Sequence, residues 1–259
     1  MRALLFKLLF YPSVAMTGIL ALPMLLWPSP KPVSRLCQVL SAWVLFLLRW
    51  IVGVTVEWRG FDTLPKDRAY IYLAKHMSYL DVFATYWRLP DLTALAKREL
   101  FLIPLVGQVL GKLNIVAIDR GKGTAREQMP KVVGEVVAQN KPLLVYPEAT
   151  RTRPDERRPL KSGAFYLQQD GRLDVFPIAT NSGMHWGKGL LDMKPGKVVL
   201  EVGAPFPHGI DKEQFMALVI DRVIAPSDRL MQALDGHTPP PLPSAKAAAD
   251  RANKADKVA

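Results

Sequence analysis

The sequence predicts an α/β protein: a mostly parallel, mixed sheet covered by helices, led by an N-terminal pair of membrane-associated helices. Three observations carry this. From residue 54 onward, short apolar runs alternate with helical stretches, the pattern of strands joined by crossover helices. Before residue 60 lie two apolar segments, each near the ~20 residues that a bilayer span needs. The chain of 259 residues is 49% hydrophobic yet carries a net charge of +11. That pairing suits an anionic membrane surface better than free solution.

The apolar segments are "ALLFKLLFYPSVAMTGILALPMLLW" (3–27) and "LCQVLSAWVLFLLRWIVGVTV" (36–56), joined by the proline-rich turn "PSPKPVSR". Neither is clean: Lys7, Pro12 and Pro23 interrupt the first, Arg49 the second. Charges near a segment's ends can snorkel to the interface. Two arrangements fit, a spanning hairpin and a helical pair embedded in one leaflet. Positive residues flank both segments (Arg2, Lys7, Lys31, Arg35, Arg59), so charge asymmetry does not choose between them. A secretory signal would need a small-residue cleavage site after a short apolar core, and none follows.

The strand runs are "VTVEW", "AYIYLA", "LTALA", "NIVAI", "PLLVYP", "DVFPIA" and "KVVLEVG". Helices are expected over 78–88, 124–139 and 161–169, and over 211–234 with a break near Pro226. The Pro-, Ala- and charge-rich end reads as disordered. The expected units are therefore a helical anchor (1–57), a globular domain (58–235) and a disordered tail (236–259). Cys37 is the only cysteine, which excludes an internal disulfide and a cysteine-based zinc site and argues against a thiol nucleophile. No metal site is expected. No Lys/Arg-rich block with interleaved aromatics occurs, so nucleic acid is not expected as a partner.

The stretch "LAKHMSYLD" carries the first chemical signal. A strand should end near Ala74 and a helix begin near Ser78, with His76 between them and Asp81 in the first helical turn. One reading is purely structural: Ser78-Tyr79-Leu80-Asp81 fits a capping box, with Asp81 bonding back to the cap backbone. The other is a His–Asp pair. In one continuous helix a spacing of five would turn the two side chains about 140° apart. A strand-to-helix turn lets them meet. The carboxylate would then fix the imidazole tautomer and leave the second ring nitrogen as a base. Such a site also lies beyond the carboxyl end of a strand, where open α/β sheets place ligands. His208 has an acid, Glu213, at the same spacing but follows no clear strand. It is assigned no role, nor are His185 and His237.

Three further stretches end strands with cations. "YPEATRT" (146–152) gathers Glu148, Thr150 and Arg151, and arginine suits bidentate phosphate binding. "NIVAIDR" (114–120) ends in Asp119-Arg120, and "ALAKREL" (94–100) places Lys97 after an apolar run.

Taken in order, these blocks resemble the glycerolipid acyltransferase family, and most of all its 1-acylglycerol-3-phosphate acyltransferases. Histidine–four residues–aspartate is matched by His76 and Asp81, and a strand ending in Asp-Arg by "GKLNIVAIDR". Phe-Pro-Glu-Gly-Thr-Arg-Ser is matched by "YPEATRT", and an apolar-Pro-Ile strand by "VFPIA". The likeness runs from about residue 54 to 206. It implies an acyltransferase catalytic domain over 58–235. There an acyl group passes from acyl-CoA or acyl-carrier protein, a co-substrate rather than a bound cofactor, to the free hydroxyl of lysophosphatidic acid, yielding phosphatidic acid for phospholipid biosynthesis. His76 would be the base and Asp81 its orienting group. Lys97, Arg120 and Arg151 would hold the acceptor phosphate, with Thr150 beside them and Glu148 placing the glycerol portion or Arg151.

The departures from the family pattern are Lys75 for asparagine, Ala149 for glycine, Tyr146 for phenylalanine and Thr152 for serine. Losing the glycine narrows the backbone conformations open beside the phosphate site. Lys75 and Ala149 keep in view another lysolipid acceptor such as lyso-ornithine lipid; a thioester hydrolase and a non-catalytic membrane lipid-binding protein are two further rival expectations. A membrane-resident acceptor and a cytosolic donor place the domain on the cytoplasmic face of a membrane, expected to be a bacterial inner membrane.

Overall fold

A computed structural model describes residues 1–118, 125–189 and 191–258. Its centre is a sheet of seven strands among the described residues: β1 (Val54–Arg59), β2 (Tyr70–Ala74), β3 (Thr93–Lys97), β4 (Val116–Ile118), β5 (Leu143–Val145), β6 (Asp174–Thr180) and β7 (Gly196–Val202). The spatial order is β1-β7-β6-β2-β5-β3-β4, parallel throughout except for the antiparallel pair β6–β7. The expected mixed, mostly parallel sheet is present.

Both faces of the sheet are covered, which is why its strands read as unbroken apolar runs. All five residues of β2 are buried. Ile71 and Leu73 face a core shared with Leu143, Val145 and Val175 and with α5 (Ala125–Gln139), α6 (Gly163–Gln168) and α7 (Lys212–Val219). Tyr70, Tyr72 and Ala74 face the opposite core with Leu144, Phe176 and Ile178. That second core is closed by α1 (Arg2–Leu25), α2 (Lys31–Leu47) and α3 (Leu80–Arg88) through Phe6, Phe10, Val44, Leu47, Leu80 and Ala84.

The N-terminal helices are therefore part of the fold and not a separate anchor. The boundary expected at 57/58 also falls inside β1. The cause is physical: the Tyr70–Tyr72 face needs an apolar lid, and α1 and α2 supply it. Their outer faces nonetheless carry Leu8, Ile19, Trp27, Trp43, Phe46 and Trp50 exposed. Both helices are long and apolar enough to cross a membrane by length and composition. A π-helical turn, Leu48–Val52, ends the second and is closed by Gly53 at φ 87°, a left-handed position where glycine carries no Cβ penalty. α4 (Val106–Lys112) lies beside α1 and carries the turn Arg98–Leu102 against it, and there Leu102 and Ile103 add exposed apolar surface.

At the other end, the break expected near Pro226 is a π-helical turn, Ile220–Ile224, leading into α8 (Ala225–Asp235), with proline in the first turn of α8. There its missing N–H costs nothing. The expectation of a disordered tail is corrected over α9 (Ala245–Val258), which seats Ala248, Ala249 and Ala252 in the core beside α7. Composition hid this because a stripe of alanines is a weak apolar signal among charges, yet alanine is the strongest helix former.

Candidate active site

β2 and β5 are parallel neighbours with level ends, Leu73 standing opposite Val145. The loops that follow them therefore emerge side by side, and backbone contacts stitch them together. The carbonyl of His76 accepts from the Thr152 N–H (2.8 Å) and from the Thr152 hydroxyl (3.1 Å). The His76 N–H donates to Glu148 Oε2 (3.1 Å). Lys75 folds inward and is 1% exposed, with its ammonium 2.8 Å from Glu148 Oε1. This buried pair clamps the histidine turn from beneath.

The imidazole is held in two directions and open in a third. Nδ1 lies 3.0 Å from Asp81 Oδ2. A carboxylate can only accept, so Nδ1 carries the hydrogen and Nε2 keeps the lone pair. Tyr146 stacks on the ring with centroids 3.8 Å apart and planes 10° apart. Nε2 makes no hydrogen bond among the described residues, and the side chain keeps 16% of its exposure.

The structural and chemical readings of Asp81 are both realised. The same Oδ2 accepts from the Met77 and Ser78 backbone N–H groups at 2.8 Å each, while Ser78 Oγ accepts from Leu80 N–H at 3.0 Å. The capping interaction fixes the carboxylate, and the fixed carboxylate orients the histidine. Asp81 Oδ1 is buried with no partner.

Arg151 also lies beside this turn. Its Cζ is 3.9 Å from the centroid of the Tyr79 ring, and Nη1 is buried with no acceptor. Lys97 ends β3, opposite Ile118 of β4, and is exposed at the same carboxyl edge of the sheet. Thr150 is exposed in the loop after β5. Arg120 lies outside the described residues.

Glu148 is corrected. Its carboxylate is 3% exposed and is taken up by Lys75 and the His76 N–H, so it faces inward and not toward an acceptor. The residues that sequence reasoning passed over as mere departures are thus structural partners: Lys75 for Glu148, Tyr146 for His76 and Thr152 for the His76 carbonyl. The only signal for the first was a lysine and a glutamate each following an apolar run. Ala149 sits at φ 53°, the left-handed region, in a tight turn where its N–H donates to the Tyr146 carbonyl at 2.9 Å. The family's glycine would take that conformation without strain.

Two of the other histidines, His185 and His208, have structural partners. His185 Nε2 lies 3.1 Å from Asp235, and His208 Nε2 lies 2.7 Å from Asp174. A cavity of about 410 Å³ opens beside Met77 and Thr152, with Arg153, Lys188, Lys194 and His237 among its walls.

Comparison with known proteins falls in line with this geometry. The Acyltransferase family profile matches residues 55–181. A 1-acyl-sn-glycerol-3-phosphate acyltransferase of Pseudomonas aeruginosa is 30% identical over 206 residues, 78% of this chain and 79% of the relative. One from Cocos nucifera is 32% identical over 164 residues, 61% of this chain, and the match spans about half of that relative's length, 52%. The crystal structure of the 1-acyl-sn-glycerophosphate acyltransferase of Thermotoga maritima superimposes with a TM-score of 0.69 at 23% identity. It covers 90% of this chain and 98% of that one, a likeness of fold.

Proposed function

The chain belongs to the glycerolipid acyltransferase family, and from that premise we propose that it acylates the free hydroxyl of lysophosphatidic acid to give phosphatidic acid. The observation that carries the reading is the 3.0 Å contact between His76 Nδ1 and a backbone-anchored Asp81, with Nε2 free.

Nε2 takes the proton of the acceptor hydroxyl as its oxygen attacks the thioester carbonyl. The tetrahedral adduct collapses by breaking the C–S bond, and the imidazolium returns the proton to the departing sulfur. A thiol near pKa ~8.5, as for cysteine, leaves readily, so no covalent enzyme intermediate is needed. Asp81 orients the ring and supports its transient charge. Arg151 holds the acceptor phosphate, joined by Lys97 and Arg120 from neighbouring strand ends and by the Thr150 hydroxyl. Glu148 acts indirectly, through Lys75 and the His76 backbone. The donor is acyl-CoA or acyl-carrier protein, and the basic walls of the cavity beside Met77 suit a phosphate-bearing carrier arm.

Membrane lipids surround the N-terminal helices. α1 and the turn after it touch the globular part at three levels: Phe6 and Phe10 on Trp186, Gly18 facing Leu105, and the Trp27 carbonyl bonded to Lys112. A helix held this way cannot leave the domain to cross a bilayer, which favours embedding in one leaflet, with the site on the cytoplasmic face of the inner membrane. Lys75 was one sequence reason to consider a different acceptor, and its burial against Glu148 removes that reason.

The test is a panel of acceptors offered with labelled acyl thioester to the purified protein. Lysophosphatidic acid should be acylated fastest, and His76→Ala should lower the rate at least ~100-fold, the share of a general base. Equal turnover of a phosphate-free acceptor, or release of free fatty acid without acceptor, would refute the reading.

A further inference from the structure

Lys7 is a lysine in the wrong place for a membrane helix. It lies two turns into α1, on the face turned to the sheet, and is 6% exposed. Lysine is seldom so buried unless paired, yet among the described residues Lys7 has no carboxylate partner and no hydrogen bond. Aromatic rings surround its ammonium instead. Nζ stands 4.6 Å from the Trp186 ring, 5.7 Å from Phe10 and 5.8 Å from Phe6 and Tyr11.

Those rings lead to the active site. Trp186 lies 5.9 Å from Tyr79, in the turn between His76 and Asp81, and Arg151 stacks on Tyr79 at 3.9 Å. Burial, and then the Arg151 charge, push the Lys7 ammonium below the usual lysine range. Two cations from distant parts of the chain thus lie along one aromatic-walled patch, with no carboxylate bonded to either among the described residues. Arg151 Nη1 supplies a buried donor with no acceptor, an arrangement that native structures rarely leave unanswered. Aromatic faces ease the burial of one cation but do not relieve the repulsion between two.

We propose that Lys7 and Arg151 form a two-sided clamp for a phosphate monoester, that of the acceptor lipid, with one jaw supplied by the membrane helix. The proposal rests on the acyltransferase reading for the identity of the ligand. Its physical content is a phosphate that neutralises both charges and accepts from both donors. Because α1 lies in the interface, a headgroup rising from the bilayer reaches Lys7 beside the catalytic turn.

The experiment uses the full chain in mixed micelles with wild type, Lys7→Met and Lys7→Arg, and with lysophosphatidic acid or phosphate-free monoacylglycerol as acceptor. Lys7→Met should raise KM for lysophosphatidic acid about tenfold or more, by loss of one charge-assisted contact, with a smaller change in kcat. KM for the thioester should not move, and Lys7→Arg should restore most of the affinity. An unchanged acceptor KM, or a rise confined to the thioester and its own phosphates, overturns the proposal.

A second measurement needs no variant. In wild-type protein, acetylation of the Lys7 amine, read by mass spectrometry, should be suppressed by lysophosphatidic acid and not by monoacylglycerol. Equal labelling overturns the clamp, and this arm decides the matter should Lys7→Met fail to fold. Protection without any acyl transfer would keep the clamp while removing the enzymatic reading, so the two ideas fail separately.

Discussion

Asp81 shows how much a single carboxylate can be asked to do. One oxygen accepts from two backbone N–H groups and from the His76 ring, so cap and orienting group are one atom. The His-x₄-Asp spacing was legible because the geometry of a strand-to-helix turn brings those positions together. The Tyr146 stack was not legible, since nothing in a sequence says which ring will lie 3.8 Å above another. Ala149 is the counterpart case. The sequence marked it as a departure, and only the backbone shows its consequence, a non-glycine residue at φ 53°. The left-handed conformation costs about 1–2 kcal/mol, and glycine gives back roughly 0.5–1 through the freer unfolded chain. Ala149→Gly should therefore stabilise the protein by about 0.5–1 kcal/mol, seen as a rise of roughly 1–4 °C in the thermal midpoint. A fall in the midpoint would mean that the turn is not strained.

At the scale of elements, the site is made by two loops leaving adjacent parallel strands. Strand existence was clear from largely apolar runs of five to seven residues, because a sheet covered on both faces writes its burial continuously into the sequence. What joins the loops was hidden, because a buried lysine and glutamate look like surface residues until a third dimension pairs them. Breaking one partner of such a pair leaves the other charged and dry, at about 3–5 kcal/mol. Lys75→Met or Glu148→Gln alone should thus lower the thermal midpoint by roughly 10 °C. The double variant Lys75→Met/Glu148→Gln keeps an acceptor for the His76 N–H and should recover a large part of that loss. Additive losses in the double variant would show that the two side chains act independently. The Ala-rich helix α9 belongs here too: its packing against α7 depends on alanines that a compositional reading takes for disorder.

For the whole molecule, the two apolar helices were legible as membrane elements from length and hydropathy, but their inward faces were not. Phe6, Phe10, Val44 and Leu47 close the same core as Tyr70, Tyr72 and Phe176. The outward faces keep Trp43, Phe46 and Trp50 in an exposed aromatic row, ring centroids 5.5 and 6.2 Å apart along it. Aromatic side chains of this kind favour the bilayer boundary. Deleting residues 1–53 should not yield a soluble catalytic domain. It should give a protein that aggregates or loses near-ultraviolet circular dichroism, the opened face being too large to leave wet. A folded, monodisperse, active truncation would contradict that expectation.

The shared core also ties quality control to address. A copy that misses its bilayer leaves the tryptophan row bare to water, and with it the lid of its own sheet. Cellular proteases sort chains by such exposed grease, so mislocalised copies are the ones they meet first. The helices that close the sheet are thus the same ones whose outer faces suit a lipid surface.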